Sequence, residues 1–244
     1  KPAGGFSMIT TAMVMAAGHG TRMRPLTNDR SKAMVEVGGR PLIDHMLDRL
    51  AEAGVSHAVV NVHAHADHLE AHLKTRQKGP KIIISDEREE LLETGGGVVK
   101  ALPLLGTEPV FICNIDAIWH PFEPVFETLF KHWNPKKMDE LLLCARADWS
   151  LGYSGKGDFH IDDEARLTRR TEDSADHIYA GVQIFKPALA KPFKIEKFSR
   201  NKIWDRTLKR RKLFGVELPG YWMHVGDPKA VIAAEAVLKE ANNA

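Results

Sequence analysis

Through residue 145 the chain alternates short runs rich in Val, Ile, Met and Ala with stretches whose apolar residues recur every three or four positions. This alternation is the tightest constraint on its fold. A short apolar run bounded by turn formers reads as a buried strand, and a three-to-four spacing reads as a helix with one face in the core. Strands are predicted at Thr11–Ala16, His57–Val62, Ile82–Ser85, Val110–Asn114 and Leu141–Ala145. Helices are predicted at Pro41–Leu50, Ala66–Lys74, Gly97–Leu104 and Phe122–His132, with Pro41 opening the first, Gly54 closing it and Pro103 stopping the third. Strand and helix in alternation build an α/β fold of three layers around a mostly parallel, Rossmann-like sheet. Ligands of such sheets bind beyond the carboxyl ends of the strands. The chemistry is therefore sought in segments 16–32, 63–65, 86–97, 114–120 and 146–158.

The last third changes character. Phe159–Ile161, the acidic turn Asp162-Asp163-Glu164, Leu167–Arg170 and His177–Phe185 read as a small antiparallel excursion that walls a second ligand pocket. Helices are expected at Ile203–Leu213 and Pro228–Glu240. With no repeat or low-complexity linker, residues 8–244 are expected to form a single domain, and residues 1–7 read as a vector-derived leader ahead of Met8. The 34 basic and 32 acidic side chains leave a formal charge of only +2, which argues against nucleic acid or a membrane surface as a partner. No run reaches the roughly 18 apolar residues of a membrane span. Cys113 and Cys144 lie inside predicted strands and read as buried free thiols of a cytoplasmic protein. The expected partners are small molecules, and the expected state is a monomer or small homo-oligomer.

The loop after the first strand, Ala16-Ala17-Gly18-His19-Gly20-Thr21-Arg22-Met23, admits three readings. A dinucleotide fingerprint needs a third glycine where Met23 stands, and a Walker A loop needs Gly-Lys-Ser/Thr where the chain has Gly20-Thr21-Arg22. The remaining choice lies between a ligand-free turn and a phosphate cradle. Gly18 and Gly20 free backbone N–H groups to face anionic oxygens, Thr21 adds a hydroxyl, and Arg22 adds a planar fork. Lys32 can return a second cation to the same mouth. That combination favours phosphate.

The stretch Met15–Thr27 closely resembles the signature of the sugar-1-phosphate nucleotidylyltransferases. The order continues with the Lys32 segment, Val35–Ile43, Leu92-Glu93-Thr94-Gly95-Gly96-Gly97 and an aspartate after the fourth strand, so the resemblance spans about residues 10–240. The Glu-Thr-Gly-Gly-Gly version, the short chain and Gly155-Lys156-Gly157-Asp158-Phe159 resemble the branch that uridylylates an amino sugar 1-phosphate in cell-wall recycling. The resemblance implies the nucleotide-diphospho-sugar transferase fold. It also implies a metal-dependent attack of a sugar 1-phosphate oxygen on the α-phosphorus of a nucleoside triphosphate, releasing pyrophosphate. A phosphate nucleophile is already anionic at neutral pH, so cations and alignment do the catalysis and no general base is needed.

The resemblance implies catalytic roles for Arg22, Lys32 and Asp116, and nucleotide contacts for Ala16, Ala17, Gly18, Gly20, Thr21, Thr94 and Gly95. Glu87, in the acidic run before Thr94, is the candidate for the base edge. Asn114, Gly157, Asp158 and Gly181 fall at sugar-side positions. Asp116 is the implied Mg²⁺ ligand. Its usual partner, an aspartate in a Trp-x-Asp-x-Gly pattern, is replaced by His224 in Trp222-Met223-His224-Val225-Gly226-Asp227. Imidazole suits softer ions, so Mn²⁺ enters as an alternative, and Asp227 is a second candidate ligand. Other departures are Ile115 in place of the family's glycine and Ser31-Lys32-Ala33 in place of Pro-Lys-Pro, while Arg169 or Arg170 stands for a missing sugar-wall lysine. A guanylyltransferase acting on mannose 1-phosphate, or a non-catalytic sugar-nucleotide sensor on the same fold, are the competing expectations. His63, His65, His68 and His72 read as a solvated face rather than a zinc site, and Lys209-Arg210-Arg211-Lys212 as a solvated basic helix end.

Overall fold

The apolar runs near the amino terminus, as expected, become the centre of one sheet. The computed structural model of the chain describes residues 8–121 and 123–244. The expected leader at residues 1–7 and Phe122, which opens the predicted helix to His132, lie outside them. In order come β1 (Thr11–Met15), β2 (Glu36–Val37), β3 (Arg40–Pro41), α1 (Leu42–Glu52), β4 (His57–Val62), α2 (Ala66–Lys74) and β5 (Lys81–Asp86). Next are α3 (Glu93–Leu105), β6 (Val110–Asn114), β7 (Ala117–Pro121), α4 (Val125–His132), β8 (Glu140–Arg146) and β9 (Ser150–Leu151). The remainder is β10 (Phe159–Ile161), β11 (Leu167–Arg169), β12 (His177–Phe185), α5 (Asn201–Lys209), β13 (Leu213–Glu217), β14 (Gly220–His224) and α6 (Pro228–Asn243).

The main sheet runs β5-β4-β1-β6-β12-β8-β13, with the β10–β11 hairpin joined to the start of β12. Pairing is parallel from β5 through β6 and again between β8 and β13, and only β12 runs against its neighbours within that path. Successive strand residues face opposite helical layers. Val14, Val60 and Cys113 pack in one core with Leu47 and Leu69, while Met13, Val59 and Ile112 pack in the other with Val98 and Ile203. That period of two, applied to strands apolar on both faces, is what makes the fold three-layered.

Three elements depart from expectation. Helix α3 starts at Glu93, not Gly97, and runs through Pro103 to Leu105. Glycine in a helix interior is locally unfavourable, but here the chain at 196–198 crosses it. The Gly95 N–H donates to the Phe198 carbonyl at 2.9 Å, and a Cβ on Gly96 would stand 2.0 Å from the Glu196 carbonyl oxygen. Packing overrides propensity. Helix α5 ends at Lys209, Arg211 turns the chain at φ +58°, and Leu213 begins strand β13 on β8 rather than closing a helix. Finally, β7, β14 and β9 form a separate ribbon in which His224 pairs with Ala117.

A buried polar chain joins these layers. The Trp204 indole N–H donates to Gln183 Oε1 (3.2 Å), and Gln183 Nε2 donates to Glu140 Oε1 (2.9 Å). Glu140 is fully buried and its second oxygen has no partner. Burial pushes its carboxyl up from 4.5 to about 7, against the pull of the hydrogen bond from Gln183. A raised carboxyl stabilises the fold fully below its unfolded pKa of 4.5, and that contribution is lost as pH rises through about 7. Melting curves of wild type and Glu140→Gln are expected to diverge across this window, the variant melting higher at pH 8. Curves that stay parallel from pH 4.5 to 8 would show that Glu140 ionises as freely in the folded as in the unfolded chain.

Candidate active site

Strand β1 ends at Met15 and delivers Ala16 and Ala17 to the carboxyl edge of the sheet. The Ala16 N–H donates to Asn61 Oδ1 (2.7 Å), Asn61 Nδ2 donates to Glu87 Oε2 (2.8 Å), and Glu87 Oε1 accepts from the Leu92 N–H (3.0 Å). Glu87 is wholly buried. The expectation that it reads a base edge is therefore corrected: its oxygens are spent bracing the loop, because an unpaired buried carboxylate is costly. Gly97 belongs to the same brace, since a Cβ there would lie 3.0 Å from Asn61 Nδ2 and 3.1 Å from Glu87 Oε2.

The two glycines of the opening loop serve different ends. Gly20 sits at φ +65°, and a Cβ on it would stand 2.9 Å from both Lys32 Cβ and Thr27 Cγ2. It is needed so that the Lys32 segment can cross the loop. Gly18 has no such neighbour: a Cβ there meets nothing within 4 Å. Thr21 and Arg22 follow on a 3₁₀ turn, exposed, and among the described residues Arg22 has no ion pair.

Two contiguous clefts open on this edge. The first, about 410 Å³, is lined by Ala16, Ala17, Gly18, Lys32, Thr94, Asn114, Ile115 and Asp116. The second, about 370 Å³, is lined by Thr94, Asn114, Asp116, Asp158, Gly181 and His224, together with aromatic side chains from Tyr153, Tyr179, Trp204 and Trp222. Thr94, Asn114, Asp116 and Ser199 border both. At the junction Lys32 Nζ stands 2.8 Å from Asp116 Oδ2, and His224 Nε2 stands 3.3 Å from the same oxygen. Burial raises the Asp116 pKa, but the Lys32 charge and the His224 contact outweigh it and hold the carboxyl well below the usual range. Asp116 is thus an anion poised between two cleft walls.

The ribbon explains the pairing of Asp116 with His224. Asp116 sits in the turn between β6 and β7, and its carbonyl accepts from the Val225 N–H (2.8 Å) as β14 runs antiparallel to β7. The ring of His224 stacks on Trp222 at 5.7 Å, and Gly226 leaves room for it, since a Cβ there would lie 2.9 Å from His224 Cε1. His224 Nδ1 lies 3.4 Å from the Gly152 carbonyl, leaving Nε2 toward Asp116. One carboxylate oxygen and one imidazole nitrogen 3.3 Å apart could together hold a divalent cation. Asp227 is committed elsewhere: as the N-cap of α6 its Oδ1 accepts from the Ala230 N–H (2.8 Å), so it is not a substitute ligand.

Other expected residues act at one remove. Gly95 lies under Phe198, whose ring atoms a Cβ would meet at 2.3 Å, and Thr94 Oγ1 accepts from the Arg200 N–H (2.9 Å). Gly157, at φ +85°, packs against the Ala175 carbonyl. Asp158 lines the cleft while Oδ2 accepts from the Tyr179 N–H (2.9 Å). Gly181 marks an irregularity in β12, between Tyr179 and Gln183, that lets the strand approach Ala117 and Asn114. Of the two arginines offered for the sugar wall, Arg169 borders the second cleft, tied to Asp205 at 2.7 Å, and Arg170 does not. His65 and His68 are exposed as expected, whereas His72 pairs with Asp44 (2.8 Å) and His63 Nδ1 meets the Glu87 carbonyl (2.6 Å). Among the described residues no group of three or more His, Cys, Asp and Glu is gathered to hold a metal. Sequence reading missed Ser199, Arg200 and Trp204 in the cleft wall; the run before α5 carries no motif to mark them.

Residues 11–241 match the family described as "Nucleotidyl transferase". The chain is 50% identical over 236 residues to an N-acetylmuramate alpha-1-phosphate uridylyltransferase of Caulobacter vibrioides, covering 94% of this chain and 97% of that protein. It is 29% identical over 229 residues to a mannose-1-phosphate guanylyltransferase catalytic subunit beta of Drosophila melanogaster, covering 90% of this chain but 60% of that one. Among solved structures, a UDP-glucose pyrophosphorylase complexed with UDP-glucose superposes with a TM-score of 0.79 at 16% identity, covering 96% of this chain and all of that one (100%).

Proposed function

The chain belongs to the nucleotidyl transferase family, and from that premise we propose that it transfers a uridylyl group from UTP to N-acetylmuramate 1-phosphate, yielding UDP-N-acetylmuramate and pyrophosphate. The observation that carries this reading is the junction of two clefts at Asp116, with Lys32 on one side and His224 on the other. Two anionic substrates must meet somewhere, and a site that focuses one ammonium, one carboxylate and one imidazole between two cavities suits that meeting. In this reading the first cleft takes the nucleotide, with Ala16 and Ala17 beside the base and Thr94 at base and ribose. Gly18, Gly20 and Thr21 lend donors to the triphosphate. Arg22 holds the departing pyrophosphate, and Lys32 bridges the reacting phosphates. Asn114, Asp158 and Gly181 border the sugar.

Asp116 and His224 would hold a divalent ion, Mg²⁺ or Mn²⁺. Such an ion neutralises charge on the phosphates it binds. The protein's own part is alignment: the brace from Asn61 to Glu87 fixes the floor on which the α-phosphorus must present itself to the sugar phosphate oxygen. The place of action is the cytoplasm. Among the described residues no helix is long and apolar enough to cross a membrane, and Cys113 and Cys144 are buried free thiols.

The paired glycines give a test within this reading. Gly18→Ala adds a methyl that meets no protein atom, so Tm is expected to stay at the wild-type value while KM for the nucleoside triphosphate rises ~10-fold. Gly20→Ala, forced to φ +65° against Lys32 and Thr27, is expected to lower Tm as well. Equal behaviour of the two variants in both measurements would remove Gly18 from the nucleotide wall.

The function itself is tested by a panel of UTP, GTP, CTP and dTTP against sugar 1-phosphates, following pyrophosphate release. Preferred release with UTP and N-acetylmuramate 1-phosphate is expected. Preference for GTP with mannose 1-phosphate would move the chain to the guanylyltransferase reading. No release from any pair with any divalent ion would turn it into a binding protein.

A further inference from the structure

The wall of the second cleft holds a cation that makes no salt bridge among the described residues. Arg200 is only 3% exposed, and among the described residues its Nε and Nη1 have no hydrogen-bond partner. Nη2 donates to the Tyr179 hydroxyl at 3.2 Å, and the guanidinium lies 5.6 Å from the Tyr179 ring and 5.4 Å from that of Trp204. Rings stabilise a cation modestly, far below what desolvating a guanidinium costs. Three nearby acids are committed, and burial holds back the fourth. Asp205 is held by Arg169 at 2.7 Å, Asp158 accepts from the Tyr179 N–H, and Asp116 faces Lys32. Glu140 feels the Arg200 charge, but its hydrogen-bonded oxygen accepts from Gln183 and burial outweighs that charge, pushing the carboxyl up to about 7.

The position is held firmly. The Arg200 N–H donates to Thr94 Oγ1, and the preceding chain lies across Gly95 and Gly96, so the backbone that carries the guanidinium cannot drift. Asp116 and His224 enter the cleft from the β7–β14 ribbon, whereas Arg200 and Trp204 enter from the segment leading into α5. The cleft therefore has a phosphate side and a separate cationic wall. A neutral hexose 1-phosphate would leave that wall uncompensated. A fork of unpaired N–H donors in a desolvated wall is matched by a planar carboxylate.

We infer that Arg200 is a specificity residue that receives a carboxylate carried by the sugar itself, apart from the 1-phosphate. This rests on the uridylyltransferase reading above, and it assigns the selection of an acidic over a neutral amino sugar to one side chain. Ligand entry requires only that the guanidinium turn from its ring stack toward the cavity it already borders.

The test measures kcat/KM for N-acetylmuramate 1-phosphate and for N-acetylglucosamine 1-phosphate in wild type, Arg200→Met and Arg200→Lys. Arg200→Met, which keeps the stem over Trp204, is expected to lose ~30-fold or more on the acidic sugar and less than about threefold on the neutral one. Arg200→Lys is expected to recover part of the preference, keeping the charge without the fork. Binding of each sugar phosphate without nucleotide, followed by Trp fluorescence, supplies a readout independent of turnover and of any loss in folding. An equal loss on both sugars would make Arg200 a reader of the 1-phosphate or a structural cation, and unchanged preference would remove it from the pocket; either overturns the inference. Wild-type enzyme inert toward both sugars overturns the uridylyltransferase reading first, and the inference with it.

Discussion

Asp116→Ala is expected to lower turnover by at least ~100-fold while the protein stays folded. Among the described residues Asp116 is the one carboxylate that borders both clefts, and its ionised form is favoured by Lys32 at 2.8 Å and His224 at 3.3 Å. Removing it takes away the oxygen that would share a cation with His224 and frees the Lys32 ammonium to collapse onto the phosphates in an unproductive position. The fold should tolerate the change because both side chains face a cleft, with 15% of Lys32 and 20% of Asp116 exposed, so the orphaned ammonium can be hydrated. Asp116→Asn keeps the shape and loses the charge. It is expected to be nearly as slow, which separates electrostatics from packing. Steady-state rates with circular dichroism on the same samples check both halves. A variant within threefold of wild type would mean that the phosphates react elsewhere.

Arg22→Ala is expected to cost about as much, ~100-fold in kcat/KM, with no change in Tm. The two expectations come from opposite structural situations. Asp116 is enclosed and paired, whereas Arg22 is exposed on its 3₁₀ turn and, among the described residues, makes no ion pair. Among the described residues no hydrogen bond or ion pair uses this guanidinium, so a loss of activity at unchanged Tm reports on the ligand. Arg22→Lys is expected to fall between, since an ammonium keeps the charge but loses the bidentate fork that grips phosphate oxygens. If Arg22→Ala melts and turns over like wild type, the triphosphate does not extend along this loop.

The strands were legible because they are apolar on both faces and therefore leave continuous runs: β1, β4, β5, β6 and β8 fall where those runs lie. The first turn of helix α3 was not, because it is written in glycines. Their cause is a chain segment a hundred residues downstream, and local propensity carries no trace of it. The β7–β14 ribbon was hidden for the same reason. The short strand at Ala117–Pro121 gains meaning only when Trp222 and His224 pair with it, and that pairing is what brings His224 to Asp116.

The site divides along the same line. Residues set by loops just after strands, such as Gly18, Lys32, Thr94, Asn114 and Asp116, line the clefts as their sequence context suggested. Glu87 looked exposed within an acidic run, yet it is buried as a brace, because only the fold shows that Asn61 and the Leu92 N–H converge on it. Arg200 stands just before the helix predicted at Ile203–Leu213, with no motif around it. Its burial against Tyr179 and Trp204 is a tertiary fact.

The most direct measurement of the central claim is ³¹P NMR of wild-type enzyme with UTP, N-acetylmuramate 1-phosphate and Mg²⁺. The account predicts that the phosphomonoester signal disappears as the coupled pair of a sugar-nucleotide pyrophosphate grows, with one free pyrophosphate released per product. Pyrophosphate released while the sugar phosphate signal stays intact, or UTP left whole in its presence, would contradict nucleotidyl transfer at the Asp116 junction.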